Sequence, residues 1–289
     1  MDQSAKKLAL VEPSNFNFNR ETFETNVLQK DININKKVIF SEFDNLLNSL
    51  ELNNISFEVL KSPDNAPDSI YPNNWVITFD DGTYDLFSMQ SQNRRIERSK
   101  ENLAFLNKKY VLKNDLTSNE SRGVYLEGTG SLVLDRINKV AYLSESQRSN
   151  IFLAEKWAQL RKYNLVNFKS LIDSKPVYHT NVVMFITDKL AGVCLESIAD
   201  FNNLQSTLSN THKILDLSIN QVKNFSANAI VVKNTLKNDI FLISSTGLKS
   251  LRSEQIQVIE NFYSIVEIDI SNIEKIGGGS VRCMILELF

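Results

Sequence analysis

The stretch KIGGGSVRCMILELF (residues 275–289) admits three readings of its glycine run, and each implies a different fold. A flexible linker needs a folded unit beyond it, yet ten residues follow Gly279, too few to bury a core. A phosphate loop opens a helix and carries GxxxxGK[ST] or GxGxxG spacing. Here the glycines lead instead into Val281, Met284, Ile285, Leu286 and Leu288, which favour a strand. The run is therefore read as a tight turn that aims Cys283. A strand over 281–288 would put Val281, Cys283 and Ile285 on one face, with Arg282 and Met284 on the other. Glycine backbone beside a cysteine permits close approach by a substrate and leaves N–H groups unencumbered near the sulfur.

The rest of the chain is ordinary in bulk. It has 289 residues, 42% hydrophobic and 23% charged, at the upper limit of what one core serves. A net charge of −2 gives no basic excess to neutralise phosphates, so nucleic acid is not an expected partner. The start MDQSAKKLALVEP lacks a signal-peptide core, and no apolar run reaches about 18 residues, so a cytosolic protein without a membrane partner is expected. In that compartment Cys194 and Cys283 stay thiols. Two histidines, His179 and His212, with no CxxC or HExxH, make zinc an unlikely requirement.

Short stretches rich in Val, Ile, Phe and Tyr predict strands over 37–40, 75–79, 84–89, 124–126, 131–135, 140–143, 177–186, 191–195, 229–232, 240–244, 264–268 and 281–288. Apolar periodicity predicts helices over 41–50, 93–106, 146–163, 211–224 and 249–263. Asp80-Asp81-Gly82 between two strands reads as a hairpin turn. Helical windows recur every 50 to 60 residues or so, consistent with repeated strand-strand-helix-strand units and a single α/β domain over 1–289.

Four polar constellations stand out. In VYHTNVVM, strand alternation would place His179 and Asn181 on one face, although a lone histidine in an apolar strand is more often a satisfied core residue. In LEGTGSLVLD, Glu127 precedes Gly128 and Gly130, and a solvated hairpin carboxylate is the plain alternative. In SIYPNNWVITFDDG, Pro72 directs an extended backbone into a strand, with Asn73 and Asn74 facing opposite ways; buried amides there need partners in backbone or ligand. With Cys283 these describe a thiol nucleophile, an acid/base partner and planar polar recognition groups. Cys194, Trp75 and Trp157 read as packing, His212 as surface, and Glu97 and Arg98 as helix-surface pairs.

The segments FNFNRET, YPNNW, RRIER, LEGTGSLVLDR, VYHTNVVM, VCLESI and GGGSVRCM, in this order, resemble the guanidine-modifying superfamily of arginine deiminases, dimethylarginine hydrolases and amidinotransferases. They are most similar to its citrulline-utilisation, amidinotransferase-related branch, from about residue 13 to the carboxyl end. The resemblance implies a five-bladed α/β propeller (pentein) of ββαβ units with pseudo-fivefold symmetry and a central active site. It implies Cys283 as nucleophile, His179 as general acid/base and Glu127 as the carboxylate holding substrate and histidine. No cofactor or metal is implied.

Deiminases carry aspartates where this chain has Asn74 and Asn181. Two aspartates suit a guanidinium; two asparagines, each with an acceptor and two donor hydrogens, suit a neutral ureido group. The expected function is thus a cysteine-dependent hydrolase that converts citrulline, a small amino-acid substrate, to ornithine, CO2 and ammonia. An arginine deiminase or amidinotransferase is the first rival, and a non-catalytic pentein binding module, like the ribosome anti-association factors, the second. By the same resemblance Arg94 or Arg95, and Arg148, would hold the substrate carboxylate. The Gly278 and Gly279 N–H groups would stabilise an oxyanion, and Asn17 and Asn19 would line the channel mouth. Homo-oligomerisation stays open.

Overall fold

A computed structural model describes residues 2–32 and 35–289. One unit recurs five times among them: an antiparallel strand pair, a helix, and a third strand lying parallel to the second. In chain order, β1 (Lys7–Val11) pairs in parallel with β2 (Ser56–Leu60). The next sheet holds β3 (Val76–Thr78), β4 (Thr83–Leu86) and β5 (Val111–Asp115). It is followed by that of β6 (Leu132–Asp135), β7 (Val140–Ser144) and β8 (Asn164–Phe168). A two-stranded ribbon, β9 (Leu171–Ile172) and β10 (Lys175–Pro176), precedes the sheet of β11 (Met184–Ile186), β12 (Leu190–Val193) and β13 (Lys213–Asp216). The fifth comprises β14 (Ile230–Lys233), β15 (Asp239–Ser244) and β16 (Ser264–Ile268). Finally β17 (Leu286–Leu288) pairs antiparallel with β1, Leu286 opposite Ala9. The carboxyl end therefore completes the sheet that the amino end begins.

The first strands of the units face a common interior. Leu132 and Val133 of β6, Met184 of β11, Ile230 of β14 and Glu287 of β17 line one internal space. β17 and β3 are tied where Thr78 Oγ1 donates to the Glu287 carbonyl at 2.7 Å. Outside, helix Lys36–Leu52 starts where the Asn35 side chain accepts from the Lys37 N–H, and it buries Ile39, Phe43, Leu46 and Leu50. Leu8, Leu10 and Ile273 join that face in a core cluster that reaches Tyr71 and Cys283. Each such side chain contributes roughly 1.5–3 kcal/mol by leaving water.

Several expectations need correction. Residues 37–40 are helical, because the capped start and the apolar stripe outweigh the strand preference of Val38 and Ile39. Window 93–106 is two helices, Gln92–Arg95 and Lys100–Asn107, the second capped by Ser99. Window 211–224 is β13 followed by a short helix, Ile219–Lys223; that unit's long helix is Asn202–Ser209. The 124–126 strand is only an isolated bridge from Leu126 to Ser149. The third strands β2, β5, β8 and β13 went unpredicted, and β2 and β5 are edge strands without a fully buried face, so they carry no strong apolar alternation. The Asp80-Asp81-Gly82 turn does join β3 to β4, with Gly82 at φ +72°. Trp75, Trp157 and Cys194 are buried, as expected. His212 is buried too, with Nε2 2.9 Å from the Thr187 carbonyl oxygen, which corrects its surface placement. No helix among the described residues is long and apolar enough to cross a membrane.

Candidate active site

The glycine run ends a helix. Helix Ser271–Gly277 stops at Gly278, whose φ of +63° favours glycine and whose N–H donates to the Glu274 carbonyl at 2.8 Å. The chain then turns, and Cys283 N–H donates to Ser280 O at 2.9 Å. The tight-turn reading is right, but the strand begins only at Leu286 rather than Val281, so strand alternation does not set the Cys283 direction. The carbonyls of the run are pinned from outside: Asn26 Nδ2 donates to Gly277 O, Tyr178 Oη to Gly278 O, and Tyr71 Oη to Gly279 O. The Gly278 N–H is consumed by the helix cap and so is not free to meet an oxyanion. The Gly279 N–H makes no hydrogen bond among the described residues.

His179 also lies in a turn, just before the 3-10 segment Thr180–Val182, and not in a strand. Its Nε2 is 2.8 Å from Oε2 of Glu127. Glu127 is fully buried and precedes helix Gly128–Ser131; its Oε1 accepts from the Gln90 N–H at 2.9 Å, and Arg148 Nη1 lies 3.8 Å from Oε2. Burial opposes the Glu127 charge, but His179, Arg148 and Arg94 outweigh it and bring the carboxyl down to about 2. Burial lowers His179 to about 4, against the pull of Glu127 and with the help of Arg148 and Arg94. At neutral pH the pair is therefore a carboxylate and a neutral imidazole. Nε2–H donates to the carboxylate, and Nδ1 is left as the ring's acceptor.

Pro72–Asn74 is a 3-10 turn rather than an extended lead-in, and both asparagines are buried. Asn74 Oδ1 accepts from Arg94 Nη1 at 2.7 Å, while its Nδ2 has no partner. Arg94 is otherwise spent: Nε and Nη2 grip Glu97 at 2.7 and 3.0 Å, and Nη2 also donates to Tyr71 O. That buried fork replaces the surface role expected for Glu97; Arg98 pairs instead with Glu120. Of the adjacent pair Arg94 and Arg95, Arg94 lines the chamber, whereas Arg95 reaches the Met89 and Gln90 carbonyls. Arg148 donates to Thr22 O and Thr25 Oγ1, and its Nη1 is turned toward Glu127. Asn19 caps a short helix and binds Asp68 and Asn93 without lining the chamber.

The chamber thus gathers Cys283, His179, Asn74, Arg94 and Arg148 around one space, with Glu127 behind His179. A sequence profile described as N,N-dimethylarginine dimethylhydrolase, eukaryotic, matches residues 12–289. The chain belongs to that family.

Dimethylarginine dimethylhydrolases are hydrolases that act on guanidino C–N bonds, and this member shares their α/β fold. No curated protein matches it in sequence. Among solved structures it is similar to the N-terminal domain of ArgZ, a cyanobacterial arginine dihydrolase, in a cysteine-to-serine variant bound to substrate. Identity is 13%, TM-score 0.77, with 97% of each chain covered. It is similar to unliganded AgrE at 13% identity and TM-score 0.79, covering 98% of this chain and 39% of AgrE. It is also similar to the dimethylarginine dimethylhydrolase of Pseudomonas aeruginosa, complexed with citrulline, at 14% identity and TM-score 0.69, covering 99% and 100%. The chain spans about 40% of full-length ArgZ.

Two further residues, not marked by any sequence motif, stand at the chamber or at its cysteine. Asp68 is buried on the chamber wall, Oδ2 accepting from Asn19 Nδ2 at 2.8 Å and Thr22 Oγ1 at 3.0 Å, with Oδ1 unpartnered. Burial raises its carboxyl. In the sequence it looks like a turn aspartate before Pro72. Asn228 reaches Cys283 from the loop before β14, and no period or motif marks it.

Proposed function

We propose that this chain hydrolyses the ureido group of a citrulline-like amino acid to ornithine, CO2 and ammonia. The supporting observation is the orientation of Asn74. Arg94 occupies its Oδ1, so the unpartnered Nδ2 offers N–H donors to the chamber. A ureido C=O accepts from such donors, whereas a guanidinium has only N–H groups of its own and would face donor against donor.

In the proposed sequence the Cys283 sulfur attacks the ureido carbon as His179 Nδ1 takes the thiol proton and passes it to the departing amine. Ornithine leaves and a carbamoyl thioester, Cys283–S–CO–NH2, remains. His179 then draws a proton from water, whose oxygen displaces the sulfur, and returns that proton to the departing thiolate; the carbamic acid released decomposes to CO2 and ammonia. Glu127 holds the imidazole and balances its transient charge. Arg148, whose Nη1 is not spent on the protein backbone, binds the substrate carboxylate, and Arg94 orients Asn74 instead. The five units are read as blades of a pentein propeller about the central space, in one catalytic domain. Beside the chamber a cavity of about 540 Å3 shares Arg148 and Tyr178 with it and provides the approach for substrate.

The guanidino reading retains one observation in its favour, the second carboxylate Asp68 on the wall, which could pair with a cation. Purified protein incubated separately with citrulline and with arginine decides between them, with Cys283→Ser as control. Ornithine and ammonia from citrulline support the ureido reading. Citrulline accumulating from arginine, with citrulline itself inert, overturns it.

A further inference from the structure

We propose that Asn228 is the residue that positions and activates Cys283, and that its side-chain amide is the principal hydrogen-bond donor to the nucleophilic sulfur. This deepens the cysteine-hydrolase reading and rests on Cys283 being the nucleophile.

All of the polar capacity that Asn228 directs at the site is used. Its Oδ1 accepts from two backbone N–H groups, Ser280 at 3.2 Å and Cys283 at 3.3 Å, and so ties both ends of the turn that carries the thiol. Its Nδ2 donates to Asn181 O at 3.1 Å and lies 3.2 Å from Cys283 Sγ. Asn181 Nδ2 is farther from the sulfur, at 3.5 Å, and has no second bond to hold it there. The residue itself is buried, so the amide is shielded from competing water. One side chain thus fixes the turn, the sulfur and the backbone of the second amide together.

The surroundings explain why such a donor is needed. Arg282 is the next residue before the cysteine, Tyr71, Tyr178, Asp68 and His179 line the same chamber, and Glu127 is bonded to His179. Burial pushes the thiol up, and the hydrogen bond from Asn228 is the first influence that opposes this. His179 is neutral at neutral pH, so no imidazolium stands ready to pair with a thiolate. A neutral ureido substrate brings no cation either. The sulfur anion formed as the thiol gives up its proton, before the S–C bond is made, is then stabilised by amide N–H groups, as an oxyanion is in its hole.

The test uses alkylation by iodoacetamide as a function of pH, located by peptide mapping, with Cys194 as internal control. Asn228→Asp keeps the oxygen acceptors for Ser280 and Cys283 but removes the donor. The expected result is at least a tenfold loss of Cys283 alkylation at pH 7.5, with the rate recovering at high pH and Asn181→Ala showing a smaller loss. A pH profile unchanged from wild type, or a larger effect from Asn181→Ala, overturns the proposal. Should Asn228→Asp lack a cooperative melting transition, the wild-type chain decides. With 15N-labelled asparagine, the Asn228 side-chain amide signal should shift as the thiol titrates and cease to do so in Cys283→Ala; a signal indifferent to pH overturns the proposal. Neither readout uses a substrate, so failure of citrulline turnover would leave this result standing, and the reverse.

Discussion

Arg94 donates to the Oδ1 of Asn74 at 2.7 Å, both residues buried, and this one bond leaves the Nδ2 as the unpartnered end of the amide. Burial works against the guanidinium, but Glu97 and Asp68 hold it charged, so its hydrogen bond to Asn74 persists at any working pH.

Changing Asn74 to Asp should therefore invert recognition. The new carboxylate pairs with Arg94 and offers only acceptors, so a ureido oxygen loses its donor, an effect of about 1–3 kcal/mol. Citrulline turnover is expected to fall about 10- to 100-fold, while arginine becomes a stronger competitive inhibitor. Steady-state rates with both compounds check this, and unchanged citrulline kinetics would remove Asn74 from the substrate's surroundings.

The His179–Glu127 pair predicts loss of stability on acidification. Folded His179 is protonated near pH 4, below its ordinary 6.5, so between these values the unfolded chain binds more protons. Its contribution is fully present above about pH 6.5 and lost as the pH falls toward 4. Glu127 extends the loss below its ordinary 4.5 toward about 2. Denaturant midpoints at pH 7 and pH 4.5 should drop for wild type and drop less for His179→Asn, which has no proton to take up. Equal drops would place the acid sensitivity elsewhere.

Gly130 is required by close approach. A Cβ there would lie 2.6 Å from His179 Nδ1 and in overlap with Asn74 Nδ2. Gly130→Ala should push the imidazole or the amide aside and lower kcat about 100-fold or more, since displacements of this size disturb catalysis far more than folding. Gly82→Ala is the contrast: its φ is +72° but nothing lies within 4 Å, so only backbone strain, about 1 kcal/mol, is expected, without loss of kcat.

What could be read from the sequence depended on where the information is local. The Asp80-Asp81-Gly82 turn, the inner strands and the apolar stripe of 41–50 are local patterns, and the structure has them. The cysteine, histidine and glutamate were legible as motifs, yet their geometry was not: Cys283, His179 and Asn74 all sit in tight turns at the mouths of short strands, where alternation says nothing about direction. Asp68 and Asn228 were illegible because their roles come from contacts 49 and 55 residues away along the chain, to Asn19 and Cys283. Glu97 looked like a partner of Arg98 on an exposed helix face, since spacing alone cannot tell a solvated face from one turned inward, where Glu97 in fact meets Arg94.

That buried pair gives the last expectation. Arg94 and Glu97 meet in a two-point fork, both almost fully buried. Removing one partner of such a pair leaves a charge without compensation and costs about 3–5 kcal/mol, far more than an exposed pair contributes. Burial pushes the Glu97 carboxyl up to about 8 against the pull of Arg94, so Glu97→Gln should lower stability by an amount in that range above this pH and by less at neutral pH; it should also loosen Arg94 from Asn74, so citrulline turnover falls together with stability. Lys113→Met, which removes an exposed partner of Asp81, should change stability by less than about 1 kcal/mol. Chemical denaturation of both variants measures the difference. If the two changes cost the same, the Arg94–Glu97 fork does not carry the charge that orients Asn74.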